Sequence, residues 1–172
     1  MRTRVTHTED LVVLSAASAL VEDAELEELL HQAYVRGGFT SPEQAPTMFP
    51  AKAVRDRGEL LVVRDPADRR LIGMVIVVPP TSPARKLAFS DETEMQLLAV
   101  SPGHQGRGIG RALVRAALGT LERLGYRKMV LWTQPTMLAA QHLYLAEGFV
   151  RAPERDFRRE DGRSFLVFTR SV

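Results

Sequence analysis

Glu94-Met-Gln-Leu-Leu-Ala-Val100-Ser-Pro102-Gly-His-Gln105-Gly-Arg107-Gly108-Ile-Gly110-Arg111 is the most informative segment of the chain. An apolar run ends at Val100, a Pro102-Gly103 turn follows, and glycines recur at 106, 108 and 110 before a strongly helical segment. That order reads as strand, tight loop, helix. The first turn of a helix carries N–H groups without intrahelical acceptors and a partial positive charge. Glycines there let a phosphate approach the backbone closely. The stretch therefore reads as a binding site for a phosphorylated cofactor.

Three glycine-rich loops compete for it. The phosphate loop of nucleoside triphosphatases requires Gly-x-x-x-x-Gly-Lys-Ser/Thr. Gly103 and Gly108 have that spacing, but Ile109 and Gly110 stand where Lys and Ser/Thr belong. The dinucleotide fingerprint Gly-x-Gly-x-x-Gly starts at Gly106 and Gly108, but Arg111 occupies its third glycine position, and no acidic residue ends the next strand to hold a ribose. The remaining pattern, Gln/Arg-x-x-Gly-x-Gly/Ala, is met by Gln105, Gly108 and Gly110. A second motif lies downstream, Ala140-Gln-His-Leu143-Tyr144-Leu-Ala-Glu-Gly148-Phe149, a helix closed by glycine before a strand. With these two motifs the chain resembles the GNAT superfamily of acyl-CoA-dependent N-acetyltransferases, closely over residues 59–150 and loosely elsewhere.

The resemblance implies a fold and a site. The fold is mixed α/β (α+β), a mostly antiparallel sheet flanked by helices and splayed at the cofactor site. The pantetheine arm of coenzyme A lies in that splay. The loop residues Gln105, Gly106, Arg107, Gly108, Ile109, Gly110 and Arg111 would hold the pyrophosphate, and Leu98, Ala99 and Val100 would meet the pantetheine and acetyl carbonyl. The Val100 N–H would be the oxyanion donor. Many family members carry Asn three residues before the Ala of the second motif. Met137 stands there, and Thr133 or Gln134 is expected to replace the lost contact.

Acyl transfer to an amine needs a neutral amine, donors for the oxyanion and a proton for the departing thiolate. Tyr144 matches the family's tyrosine near the cofactor sulfur. A phenol of pKa about 10 is protonated at neutral pH and able to donate to a thiolate of pKa about 8.5. Its plainer role is a core aromatic. Glu94, six residues before Val100, matches the position of the Glu that deprotonates the amine in many family members, often through water, with Glu92 as fallback. Strand alternation puts Glu94, Gln96 and Leu98 on one face, which fits either a cleft wall or an exposed sheet surface. His104 is expected as an exposed loop residue, His142 on its helix, and His7 and His31 have no site context.

Elsewhere the pattern predicts strands over 11–14, 59–64, 71–78, 92–100 and 127–133, and a final hairpin of 149–152 with 164–170. Helices are expected over 22–36, 51–57, 108–124 and 135–147, with loops over 42–50 and 79–91. The 172 residues form one expected domain, 1–172, with a core of ordinary size. A net charge of +2 is not that of a dedicated nucleic-acid binder. The arginines at 151, 155, 158, 159 and 163 alternate with acids and read as a solvated edge. With no cysteine there is no sulfur nucleophile, and no metal site is expected. No apolar run spans a membrane and none at the start resembles a secretion signal, so a cytoplasmic location is expected. The expected activity is transfer of acetyl from acetyl-CoA to a primary amine by direct attack in a ternary complex. The acceptor is a small molecule or a peptide or protein amine, and a homodimer is left open. The alternative is a non-catalytic acyl-CoA-binding module.

Overall fold

Leu71–Val78 is apolar at every position but the glycine, and every one of its residues is buried. A strand of that kind needs cover on both faces. The computed structural model describes residues 11–41, 43 and 49–172. His7 and most of the expected loop 42–50 lie outside them. Eight strands form one sheet: β1 Val13–Ser15, β2 Glu59–Arg64, β3 Leu71–Val78, β4 Glu92–Val100, β5 Lys128–Thr133, β6 Val150–Arg151, β7 Phe157–Arg158 and β8 Ser164–Ser171. Their order is β1-β2-β3-β4-β5-β8-β6, with β7 also paired to β8. Only β4 and β5 run parallel; the other pairs are antiparallel.

The helices divide between the faces. α1 Ala16–Ala19, α2 Asp23–Leu30 and α3 Ala51–Arg55 cover one face, burying Leu26, Leu29, Leu30 and Val54 against Leu60, Met74, Ile76 and Val78. α4 Ile109–Arg123 covers the other, burying Ile109, Leu113, Ala117 and Leu121 against Val75, Val77 and Met95. α5 Leu138–Ala146 adds Tyr144 to the same core. A Cβ on Gly73 would lie 2.7 Å from Ile109 Cγ2 and 3.0 Å from Leu113 Cδ1, so the bare glycine sets how closely α4 approaches β3.

Three departures from expectation bear on the cleft. The helix expected over 22–36 keeps α-geometry only to Leu30 and continues as a π-turn over His31–Val35. The wider turn is closed by Arg36 N–H bonding His31 C=O, five residues back. The helix expected from Pro135 begins at Leu138, after a turn in which Met137 N–H bonds Gln134 C=O. The alternation expected along β4 breaks at Leu97, which has φ 51° and sits where the β3–β4 register shifts. The extra residue sends Leu98 to the α4 face with Met95, away from Gln96, so Glu94, Gln96 and Leu98 do not share a face. Among the described residues no helix is long and apolar enough to cross a membrane.

Candidate active site

β4 and β5 pair only through Glu92–Lys128, Thr93–Met129 and Glu94–Val130. Beyond that point β5 continues to Thr133 bonded to β8, and β4 continues to Val100 bonded to β3. The two strands part, and the facing edges of both are left without a sheet neighbour. A cleft of about 1480 Å³ opens there, lined on one side by Gln96 to Val100 and on the other by Trp132 to Gln134. The closed end is tied by Glu92, whose buried carboxylate meets Lys128 at 3.0 Å and Arg155 at 2.9 Å. Burial alone would raise the Glu92 pKa. Hydrogen bonds from Arg155, the Phe89 N–H and Lys128 outweigh burial and hold it below the ordinary carboxylate range.

The edge of β4 that faces the gap is defined by the ladder. Ser101 N–H bonds Ile72 C=O at 2.8 Å, and Val100 pairs with Gly73. Val100–Gly73 is therefore a pair whose peptide groups turn outward, so the Val100 N–H points away from β3, toward the side vacated by β5. In the lining of the cleft, α4 is preceded by Gly108, which has φ 82°, and no side chain caps its first turn. The first bond of the helix is Ala112 N–H to Gly108 C=O at 3.0 Å, so the N–H groups of Ile109, Gly110 and Arg111 precede the helical ladder. A Cβ on Gly106 or Gly108 would meet nothing within 4 Å, and both have positive φ. The loop is thus open toward the cleft and has its glycines where L side chains are strained.

Of the residues singled out from sequence, Leu98, Ala99, Val100, Gln105, Gly106, Gly108, Ile109, Gly110, Arg111, Thr133 and Tyr144 all line this one cleft. Arg107 does not; it is exposed and its charge acts on Asp65. Arg111 lines the cleft but its guanidinium pairs with the buried carboxylate of Glu147 at 2.9 Å. His104 is not the exposed loop residue expected: its Nε2 lies 2.9 Å from Asp65 Oδ2, which fastens the glycine loop to the β2–β3 turn. Hydrogen bonding from the Ala67 N–H and from His104 keeps the Asp65 carboxyl below its ordinary range.

Glu94 is the main correction. Its carboxylate does not line the cleft. Oε1 accepts the N–H groups of Lys86, Leu87 and Ala88, and Oε2 accepts Gln96 Nε2 at 2.7 Å. Four donors surround it, and it is fully buried. The carboxylate anchors the 79–91 loop and orients Gln96, which does reach the cleft. Glu92 is no substitute, being engaged at the closed end.

The replacements expected for the missing Asn also have other partners. Thr133 Oγ1 donates to Met137 Sδ at 3.2 Å, and Gln134 Nε2 donates to Phe39 C=O at 2.8 Å. The second bond ties the mouth of the cleft across from β5 to the segment after α2. Tyr144 is buried, and burial, with Tyr34 adding to it, pushes its phenol well above the ordinary range. Tyr34 was not singled out from sequence. Its hydroxyl donates to Leu98 C=O at 2.9 Å and fixes the β4 bulge from the α2 side. The only trace it leaves in the sequence is its place four residues after Leu30, on the apolar stripe of the helix expected over 22–36.

No group of three or more His, Cys, Asp or Glu among the described residues is placed to hold a metal ion. Comparison with known proteins agrees with the geometry. The profile described as Acetyltransferase (GNAT) family matches residues 23–149. N-acetyltransferase family 8 member 3 of Rattus norvegicus is 35% identical over 85 residues, 49% of this chain and 36% of that protein. Mycothiol acetyltransferase of Nocardia farcinica is 31% identical over 153 residues, 83% of this chain and 46% of that protein. The chain thus spans less than half the length of these curated relatives. An acetyltransferase of Bacillus subtilis, solved in complex with CoA, superposes with a TM-score of 0.68 at 18% identity, covering 95% of this chain and 99% of that one.

Proposed function

The chain belongs to the GNAT acetyltransferase family, and from that premise we propose that it transfers an acetyl group from acetyl-CoA to a primary amine within a ternary complex. One observation carries the reading: β4 and β5 part beyond Glu94 directly above the uncapped start of α4. A long thiol with amide groups along its arm fits the unpaired strand edges, and its pyrophosphate fits the bare N–H groups at Ile109, Gly110 and Arg111. Acetyl-CoA supplies a thioester carbonyl, an electrophile whose thiolate is a good leaving group.

The residues then divide the work. The outward N–H of Val100 receives the oxyanion as the amine nitrogen attacks the carbonyl carbon. As the C–S bond breaks, the neutral Tyr144 phenol would donate a hydrogen bond to the departing sulfur, whose proton would come from solvent. The acceptor loses one proton before attack and a second afterwards, both to water through the open mouth. Glu94 holds Gln96 and the 86–88 backbone in place, as a positioning residue. Thr133 bounds the arm on the β5 side, with Met137 filling the place of the usual amide. The mycothiol and family 8 acetyltransferase names of the relatives support the reaction class. The test is release of free CoA thiol from acetyl-CoA by the purified chain across a panel of primary amines, with the acetylated amine identified by mass. Turnover with at least one amine supports the reading; tight binding without turnover across the panel would replace it with a non-catalytic acyl-CoA module.

A further inference from the structure

The chain holds three lysines, at 52, 86 and 128. Their settings differ. Lys52 projects from α3 with its Nζ 2.7 Å from Asp56 Oδ2, and that bond favours its ammonium form. Lys128 is tied at 3.0 Å to the buried Glu92, at the closed end of the gap between β4 and β5. Of the three, Lys86 alone lines the cleft.

Lys86 is held against β4 by its backbone. Its N–H donates to Glu94 Oε1 at 2.6 Å, and two residues earlier the Ala84 C=O accepts Gln96 Nε2 at 3.1 Å. Glu94 and Gln96 thus fasten the 84–88 stretch beside Glu94–Val130, the last pair before the strands part. Next along β4 come Leu97 and Leu98, which line the same cleft as Lys86. The carboxylate at the position expected for a base therefore seats an amine-bearing residue at the cleft.

The state of that amine suits attack. Lys86 is exposed within the open cleft, so its Nζ is accessible. Desolvation by the surrounding protein, then the charges of Arg159 and Arg57, disfavour its ammonium form and outweigh Glu94, whose charge favours it. An amine of lowered pKa is neutral, with its lone pair free, in a larger share of molecules than an ordinary lysine. Its four-carbon stem is flexible, so Nζ is not confined to one place along the wall.

Resting on the acetyl-transfer reading of the same cleft, we propose that Lys86 is a site of self-acetylation: with acetyl-CoA bound and no acceptor amine present, the chain transfers the acetyl group to its own Lys86 Nζ. The Nζ lone pair attacks the thioester carbonyl carbon, and a C–N bond replaces the C–S bond. The nitrogen sheds one proton to water, and the thiolate leaves as CoA and takes one from solvent. An amide then stands where an amine stood, and the cleft loses one basic group.

The test is labelling in an amine-free buffer. Calorimetry first establishes that CoA binds the purified protein. The protein is then incubated with acetyl-CoA alone, and acetyl groups are counted by intact mass and located by peptide mapping. Lys86 should gain its acetyl at least about tenfold faster than Lys52 or Lys128, because a tethered amine reacts within the bound complex. The rate per molecule should not change with protein concentration, and excess free CoA should suppress it. Lys86→Arg should lose the label and still bind CoA. Labelling spread evenly over the three lysines, labelling that excess CoA leaves untouched, or a rate per molecule that rises with protein concentration overturns the proposal. Failure of CoA itself to bind defeats the acetyl-transfer reading as well; CoA bound with Lys86 unlabelled defeats only this inference.

Discussion

At the residue scale the cleft depends on side chains whose chemistry is set by what surrounds them. Tyr144 is buried and its phenol stays protonated far above neutral pH. As a raised pKa it cannot contribute a loss of rate between pH 7 and 10, because the donor form persists throughout. Tyr144→Phe removes the proton and little volume. It is expected to lower kcat about a hundredfold with little change in KM for acetyl-CoA, measured by steady-state thiol release. Loss of KM alone would mark the tyrosine as a packing residue. Tyr144 was legible because it sits inside a dense motif. The fate of Glu94 was not. Its four donors come from loop residues 86–88 and from Gln96, and nothing in a strand pattern says that a loop will fold back over one of its carboxylates.

Elements carry the next layer. The glycine loop and α4 were readable because glycine marks local backbone conformation, and Gly108 at φ 82° is a local matter. Gly108→Ala puts a side chain in the left-handed region, at a cost of about 1–2 kcal/mol in stability. It also adds a methyl on the open side of the loop, where the phosphate is proposed to lie. Denaturant unfolding should show the first effect, and a weakened acetyl-CoA titration the second. α2 is tied to β2 by Glu25, which accepts Arg64 Nη1 at 2.7 Å and caps its own helix through the Glu22 N–H at 3.0 Å. Chiefly the Arg64 bond, against burial, lowers the Glu25 pKa to about 2. A depressed carboxyl pKa stabilises the fold above the unfolded value near 4.5, and that contribution fades as pH falls from there toward 2. Glu25→Gln should therefore unfold at lower temperature than the unsubstituted protein at pH 7, with the gap closing below about pH 4. The β4 bulge at Leu97 was hidden for a different reason: a bulge belongs to the pairing of two strands, and alternation within one strand assumes it away.

The whole molecule is two sheet segments joined along three residue pairs. β1 to β4 form one, β5 to β8 the other, and Glu92 joins them by bonding Lys128 of β5 and Arg155 beyond β6. Removing a partner from a buried charged cluster leaves the others uncompensated, which costs about 3–5 kcal/mol. Glu92→Ala should lose stability on that scale in denaturant unfolding, whereas a substitution of the exposed Asp68 should change it by less than about 0.5 kcal/mol. The order of the longer strands and helices was legible from periodicity and turn chemistry, the short α1 and β7 were not, and the family resemblance pointed to the splay. The meeting of three distant cations in the cleft was not legible. Arg57, Lys86 and Arg159 look like scattered surface charge in the sequence, and only the closure of the sheet brings them to one cavity.

The parted strands and the bare start of α4 are proposed to grip an acyl-carrying coenzyme. Calorimetric titration of the purified chain with acetyl-CoA tests it most directly. Saturable binding at one site is expected, weakened by Gly108→Ala and retained with CoA alone. Absence of heat at millimolar acetyl-CoA, or binding that Gly108→Ala leaves untouched, would contradict it.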